Sequence, residues 1–232
     1  MHRLYRWPAL LALAALLPLL AGTPSYAIAP QSTASVVGTV VLAGTGAALP
    51  GARVCVVGTS VCATSAANGQ YTLSGVAAGG RALRLTLSGH AQLNVPLTLT
   101  AGQRATVRSA MVPLPAAGEL RIVLSWGAAP TDLDSYLWVP DGSSAYRVEP
   151  GQRGSLNGFP FAVFNWSAYE RPNSPPIAGS GAVVEVYDQR GRIGRYVAPA
   201  SGTGKWWTVF HYVGASRTLT GVNTLSDTRP LP

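Results

Sequence analysis

The sequence predicts an all-β protein, two β-sandwich modules in tandem behind a signal peptide. Three observations carry that expectation. Beyond the N-terminal segment no stretch keeps apolar residues at helical spacing. Short runs alternate apolar and polar side chains, the period of a half-buried strand. Gly, Asn and Pro interrupt these runs roughly every eight to twelve residues, as in sandwiches.

The leader comes first. Arg3 and Arg6 precede the apolar run "PALLALAALLPLLAG" at 8–22, whose 15 residues fall short of a membrane-spanning helix. "SYA" supplies small residues for cleavage after Ala27, with Ala29 as the rival position, so residues 1–27 are expected to be removed. Thr23 stands where a lipoprotein would carry a lipidated Cys. No later apolar run is long enough to cross a bilayer, so the mature chain is expected to be secreted or periplasmic without a transmembrane anchor. In that oxidising setting the two cysteines, Cys55 and Cys62, are expected to form a disulfide across a Gly58-Thr59-Ser60 turn.

Seven strands follow, read as "VVGTVVL", "ARVCVVG", "SVCATS", "GQYTLSGV", "RALRLTLSG", "LNVPLTLT" and "RATVRSAMV". In "NGQY" the Asn68-Gly69 pair suits a tight turn with positive φ, and Tyr71 then points between the sheets. Val36–Val40, Pro50–Val54, Asn68–Tyr71, Ala77–Gly80 and Gly89–Gln92 together resemble the carboxypeptidase regulatory-like domain, a transthyretin-like sandwich. The resemblance covers residues 36–113 and implies a non-catalytic appendage grouped with carbohydrate-binding-like folds.

"VPLPAAGEL" reads as a stiff linker, placed at 114–118, because its prolines and small residues suit neither helix nor ladder. A second module is expected at 119–226, with strands "ELRIVLSW", "SYLWVP", "AYRVEP", "FAVFNWSAY", "GAVVEVYDQ", "GRYVAP" and "KWWTVFHYVG". Its opening "LRIVLSWGAAPTDLDSYLWVPDG" and closing "GKWWTVFHYVG" resemble a bacterial domain of the YfaP-like type.

Charge narrows the partners. Seventeen basic residues, sixteen of them Arg, stand against nine acidic ones, giving +8, or +6 without Arg3 and Arg6. Such a balance favours anionic surfaces in general. No repeated interleaving of basic and aromatic residues marks a specific nucleic-acid module.

"TDLDSYLWVPDG" at 131–142 gathers Asp132, Asp134 and Asp141. Asp132 and Asp134 in an extended segment lie about 7 Å apart on one face. As catalysts they lack the facing, unlike environments that separate an acid from a base, and Ser135 has no neighbouring base or nucleophile elbow. As calcium ligands they need further oxygens from Asp141, Asp188 or Glu185. The reading that accounts for every residue is structural: an Asx-turn at Asp132, an Arg partner for Asp134 and a hairpin turn at Asp141-Gly142.

The functional surface is expected to be aromatic. Five of six Trp lie in the second module, and Trp206 and Trp207, adjacent on a strand, must face opposite ways. Trp138, Trp206, Trp207 and Tyr212 are the candidate ligand-binding residues. These features describe an exported, non-enzymatic binding or adhesion protein that takes carbohydrate or a cell-envelope polysaccharide and needs no cofactor. The alternative is a calcium-stabilised structural or interaction module built on Asp132, Asp134 and Asp141, and hydrolase chemistry is a third reading.

Overall fold

The structure, a computed structural model, describes residues 33–141, 144–148, 159–171, 173–214 and 216–230. The expected leader, its cleavage positions and the Gly142 turn lie outside the described residues, as do the side chains of Asp141 and Tyr146.

Among the described residues the regular structure is almost wholly β, as the alternation predicts. Seven strands form one pair of sheets: β1 (Thr33–Leu42), β2 (Arg53–Val56), β3 (Cys62–Thr64), β4 (Gln70–Ala77), β5 (Gly79–Thr86), β6 (Leu93–Leu99) and β7 (Arg104–Met111). One sheet runs β4-β1-β7, the other β3-β2-β5-β6. β1 pairs antiparallel with β4 but parallel with β7, so the chain crosses between sheets before returning to its first strand. Alternate side chains of β1, Val36 and Val40 among them, meet Val54, Val56, Leu83 and Leu85 from the facing sheet. Period-two patterning thus becomes a two-sheet core.

Gly69 shows why the turn before β4 is Asn-Gly. Its φ is 76°, and a Cβ there would lie 2.4 Å from the Val40 carbonyl oxygen. Tyr71 follows and is buried over Gly38, where an added Cβ would stand 2.4 Å from the ring. Burial pushes the Tyr71 phenol up to about 12.

Eight further strands form the second sheet pair: β8 (Arg121–Ser125), β9 (Leu133–Asp141), β10 (Ser144–Val148), β11 (Phe159–Asn165), β12 (Val183–Asp188), β13 (Gly191–Val197), β14 (Trp206–Val213) and β15 (Thr218–Ser226). A five-stranded sheet, β10-β9-β11-β14-β15, faces a three-stranded one, β13-β12-β8. Leu133, Leu137, Phe161, Val163, Trp207 and Phe210 from the first meet Val184 and Val186 from the second. A small cluster of Ala91, Val112 and Tyr187, flanked by Leu114 and Val123, packs residues around the expected linker against β8 and β12.

Two elements depart from expectation. "NWSAY", read as the end of a strand, contains the one-turn helix α1 (Trp166–Glu170), begun by Asn165, whose Oδ1 accepts the Ala168 N–H at 3.1 Å. β15 was not predicted: Gly221 and Asn223 break its alternation, and Asn223 has a left-handed φ of 54°.

Candidate functional site

Strand parity divides the aromatic residues of the five-stranded sheet. On β9, Leu133 and Leu137 enter the core while Tyr136 and Trp138 take the outer face; on β11, Phe161 and Val163 go in while Ala162 and Phe164 go out. On β14, Trp207 is fully buried and Trp206 lies outside, half-buried among the outer rings. The indole N–H of Trp207 donates to Asn223 Oδ1 at 2.8 Å, which gives the left-handed Asn a role. The opposite orientation of the two Trp follows the strand rule.

Tyr212 does not join Trp206, although six residues separate them and simple alternation would place both outside. A β-bulge between Thr208 and Phe210 shifts the register against both β11 and β15. Val209 and Phe210 are then both buried, and Tyr212 follows Phe210 inward. Trp207 and Tyr212 therefore pack with the core between the sheets, where Tyr212 also reaches the wall of a cleft, and Trp138 is as deeply buried on the outer side of the sheet.

On the outer side of this sheet lies a second aromatic cluster, with Tyr136, Trp138 and Phe164 buried and the half-buried Trp206 at its centre. Its ring lies 4.5 Å from Phe164, 5.3 Å from Tyr136 and 5.7 Å from Trp138, centroid to centroid. α1 extends the cluster: Trp166 is 5.8 Å from Phe164, and Tyr169, 64% exposed, is 5.2 Å from Trp166. Arg229 places its guanidinium 5.1 Å from the Trp138 ring centre. The buried Trp138 indole N–H has no hydrogen-bond acceptor among the described residues.

Polar groups fix this surface. Asn165 is nearly fully buried and donates from its side chain to the Pro175 carbonyl at 2.9 Å while capping α1. Ser167 ties α1 to the segment before β9: its hydroxyl accepts the Asp132 N–H at 2.7 Å and donates to the Asp132 carbonyl at 3.1 Å. Thr131 donates to the same hydroxyl at 3.1 Å. Ser167, which sequence reasoning passed over, has no motif that could have found it.

The described carboxylates do not assemble. Asp134 sits on the aromatic face and accepts the Tyr136 hydroxyl at 3.3 Å, where an Arg partner was expected. Asp132 is exposed, and the contacts that hold it run through its backbone in place of an Asx-turn. Glu185 and Asp188 lie on β12 in the other sheet, Glu185 held by Arg192 and Arg195, Asp188 by both Nε and Nη2 of Arg190 at 3.0 and 2.8 Å. The Arg190 side chain, then its backbone N–H, holds the Asp188 carboxyl below its ordinary value. Among the described residues no three His, Cys, Asp or Glu side chains group as metal ligands, so Asp132 and Asp134 gain none of the described carboxylates that calcium would require. Cys55 and Cys62 are disulfide-bonded across β2 and β3, and Arg53 reaches both sulfurs. No described helix is long and apolar enough to cross a membrane.

Comparison with known proteins finds a likeness for part of the chain. Residues 35–112 match the carboxypeptidase regulatory-like domain. That span coincides with the first sheet pair. No curated protein matches the chain. Solved structures with local likeness include a chain of the type II cohesin–X-dockerin complex from Acetivibrio cellulolyticus, 22% identical over 34% of this chain and 56% of that one, TM-score 0.30. The minor pilin of Streptococcus agalactiae is 17% identical over 37% and 45%, TM-score 0.28. A provisionally named carbohydrate-binding protein from Bacteroides uniformis is 12% identical over 72% and 96%, TM-score 0.30. The chain thus spans little more than half of the first of these.

Proposed function

We propose that this is an exported, non-enzymatic binding or adhesion protein, and that the outer face of its five-stranded sheet takes carbohydrate, with a cell-envelope polysaccharide as the ligand class. The observation that carries the reading is the position of the aromatic cluster. Tyr136, Trp138, Phe164, Trp166 and Trp206 lie outside the core that holds the two sheets together. A sheet face that serves only as solvent boundary is normally polar. Tyr136, Trp138 and Phe164 are buried beneath the half-buried Trp166 and Trp206 and the exposed Tyr169, so these last three rings are the ones that can offer a face to the C–H groups of a sugar, with the polar groups of Asp134, Glu170 and Arg229 nearby for hydroxyls.

The match of residues 35–112 supports a non-catalytic role for the first sheet pair, since its family resemblance implies an appendage. The reading of residues 119–226 as a YfaP-like module belongs to the same proposal, as does export.

The test is affinity electrophoresis and calorimetry of the full chain against a panel of neutral polysaccharides and purified envelope glycan. Trp206→Ala should weaken binding by about tenfold or more, as loss of a central aromatic anchor does. Tyr169→Ala, at an exposed position, should weaken it by about threefold with unchanged melting temperature. Binding to none of the panel, or binding indifferent to both changes, would overturn the reading.

A further inference from the structure

At the other end of β14 from Trp206, a cleft of about 310 Å³ opens where the β12–β13 and β14–β15 turns meet residues 118–120. It is lined by apolar groups of Leu120, Tyr212 and Leu219, by the exposed Ile193, and by two Arg, Arg190 and Arg217, matched by two carboxylates, Glu119 and Asp188. Its size is at the lower end of small-ligand pockets, about 300 to 1,000 Å³.

Arg217 is set apart by its backbone. Its backbone lies in the left-handed region at φ 53°, within the turn whose Arg217 N–H donates to the Gly214 carbonyl at 3.3 Å. Gly or Asn occupies such a turn position with least strain. Its guanidinium, like those of the exposed Arg84, Arg104, Arg108 and Arg121, has no hydrogen-bond or ion-pair partner among the described residues, while the other charges of the cleft are engaged. Arg190 is forked onto Asp188, and Glu119 accepts the Ala116 N–H of its own turn at 3.3 Å. Backbone strain retained under an uncommitted cation at the mouth of a cleft is the pattern of a binding residue.

We infer that this cleft binds the carboxylate of an acidic sugar residue, with Arg217 pairing the carboxylate and Ile193 and Leu219 carrying the apolar face of the ring. The inference rests on the carbohydrate reading for its ligand class and adds a second site to it. Guanidinium and carboxylate form a charge-assisted, two-pronged pair. The chain's formal charge, +6 without Arg3 and Arg6, adds long-range attraction for an acidic polymer.

The experiment titrates the full chain with oligogalacturonate by calorimetry at low salt, with the fully methyl-esterified oligomer alongside. The acid should bind, and the ester should bind at least about tenfold more weakly, because esterification removes the charge. Arg217→Asn, which keeps a residue tolerant of the left-handed turn, should cost the acid about tenfold or more in affinity. Arg217→Gly should do the same with a melting temperature equal to or above that of the wild type. Both variants should keep any neutral-glycan binding by the aromatic face, and Tyr169→Ala should keep the acid binding, so each site can fail without the other. No binding of the acid, equal binding of acid and ester, or full affinity in Arg217→Asn would overturn the inference.

Discussion

The two sheet pairs build their cores in the same way and finish their outer faces differently. In the first, the outward positions of β2, β5 and β7 carry Arg53, Arg84, Thr86, Arg104, Thr106 and Arg108, all exposed, together with the disulfide. In the second, the outward positions of β9, β11 and β14 carry the aromatic cluster. The first pair follows the ordinary rule for an antiparallel sheet with one wet face. The second breaks it on one face only. Burial alone therefore does not separate fold from function here, because Trp207 and Trp206 are neighbours in sequence and only the first closes the core.

The sharpest way to break that contrast is to truncate both residues. Trp207→Ala removes a fully buried ring and the bond to Asn223, and should lower unfolding stability by about 3–5 kcal/mol in chemical denaturation. Trp206→Ala should cost distinctly less stability while weakening glycan binding by about tenfold or more. Equal losses of stability in the two variants would mean that the outer cluster is a second core, and the binding face would have to be sought elsewhere.

Much of this division is legible in sequence, and the illegible part has a physical cause. All seven strands of the first pair follow from alternation and turn residues, as does the Asn-Gly turn that Gly69 requires. The opposite orientation of Trp206 and Trp207 also follows, but which of them is buried does not, since β14 carries large apolar residues on both faces. The bulge after Thr208 leaves no local mark, yet it alone turns Tyr212 inward. β15 hides because Gly221 and a left-handed Asn223 interrupt its period, and α1 because five residues are too few to show one. The carboxylates of 131–134 suggest a site by density alone, and only their spatial neighbours show that one carboxylate meets a tyrosine and the other is held through its backbone.

A middle-sized effect belongs to the polar face of the first pair. The Cys55–Cys62 bond closes a loop of seven residues' separation between β2 and β3, and chain-entropy reasoning assigns such a loop about 2.5 kcal/mol. Reduction, or Cys55→Ser with Cys62→Ser, should lower the stability of the fold by that order in calorimetry. Glycan binding at the aromatic face, which lies in the other sheet pair, should survive at temperatures where both forms remain folded. Loss of binding in the folded, reduced protein would show that the two sheet pairs do not act independently.

The smallest effect is the pH dependence contributed by Asp188. Its carboxyl is held below its ordinary value chiefly by the Arg190 side chain, with the Arg190 N–H donating to Oδ1 at 2.8 Å. A folded-state value below the unfolded one favours the charged form in the fold, so the stability it contributes is present above the ordinary carboxylate range. It is lost as pH falls through the folded value. Arg190 is 80% exposed, so solvent and salt screen the pair and the contribution is small. Asp188→Asn should therefore lose less stability than the wild type on acidification below about pH 4 at low salt, and the difference should vanish at about 1 M salt. Parallel pH profiles at low salt would count against the pairing. The same substitution releases Arg190 beside Arg217, so affinity for oligogalacturonate should rise, and a fall would place Asp188 itself against the ligand.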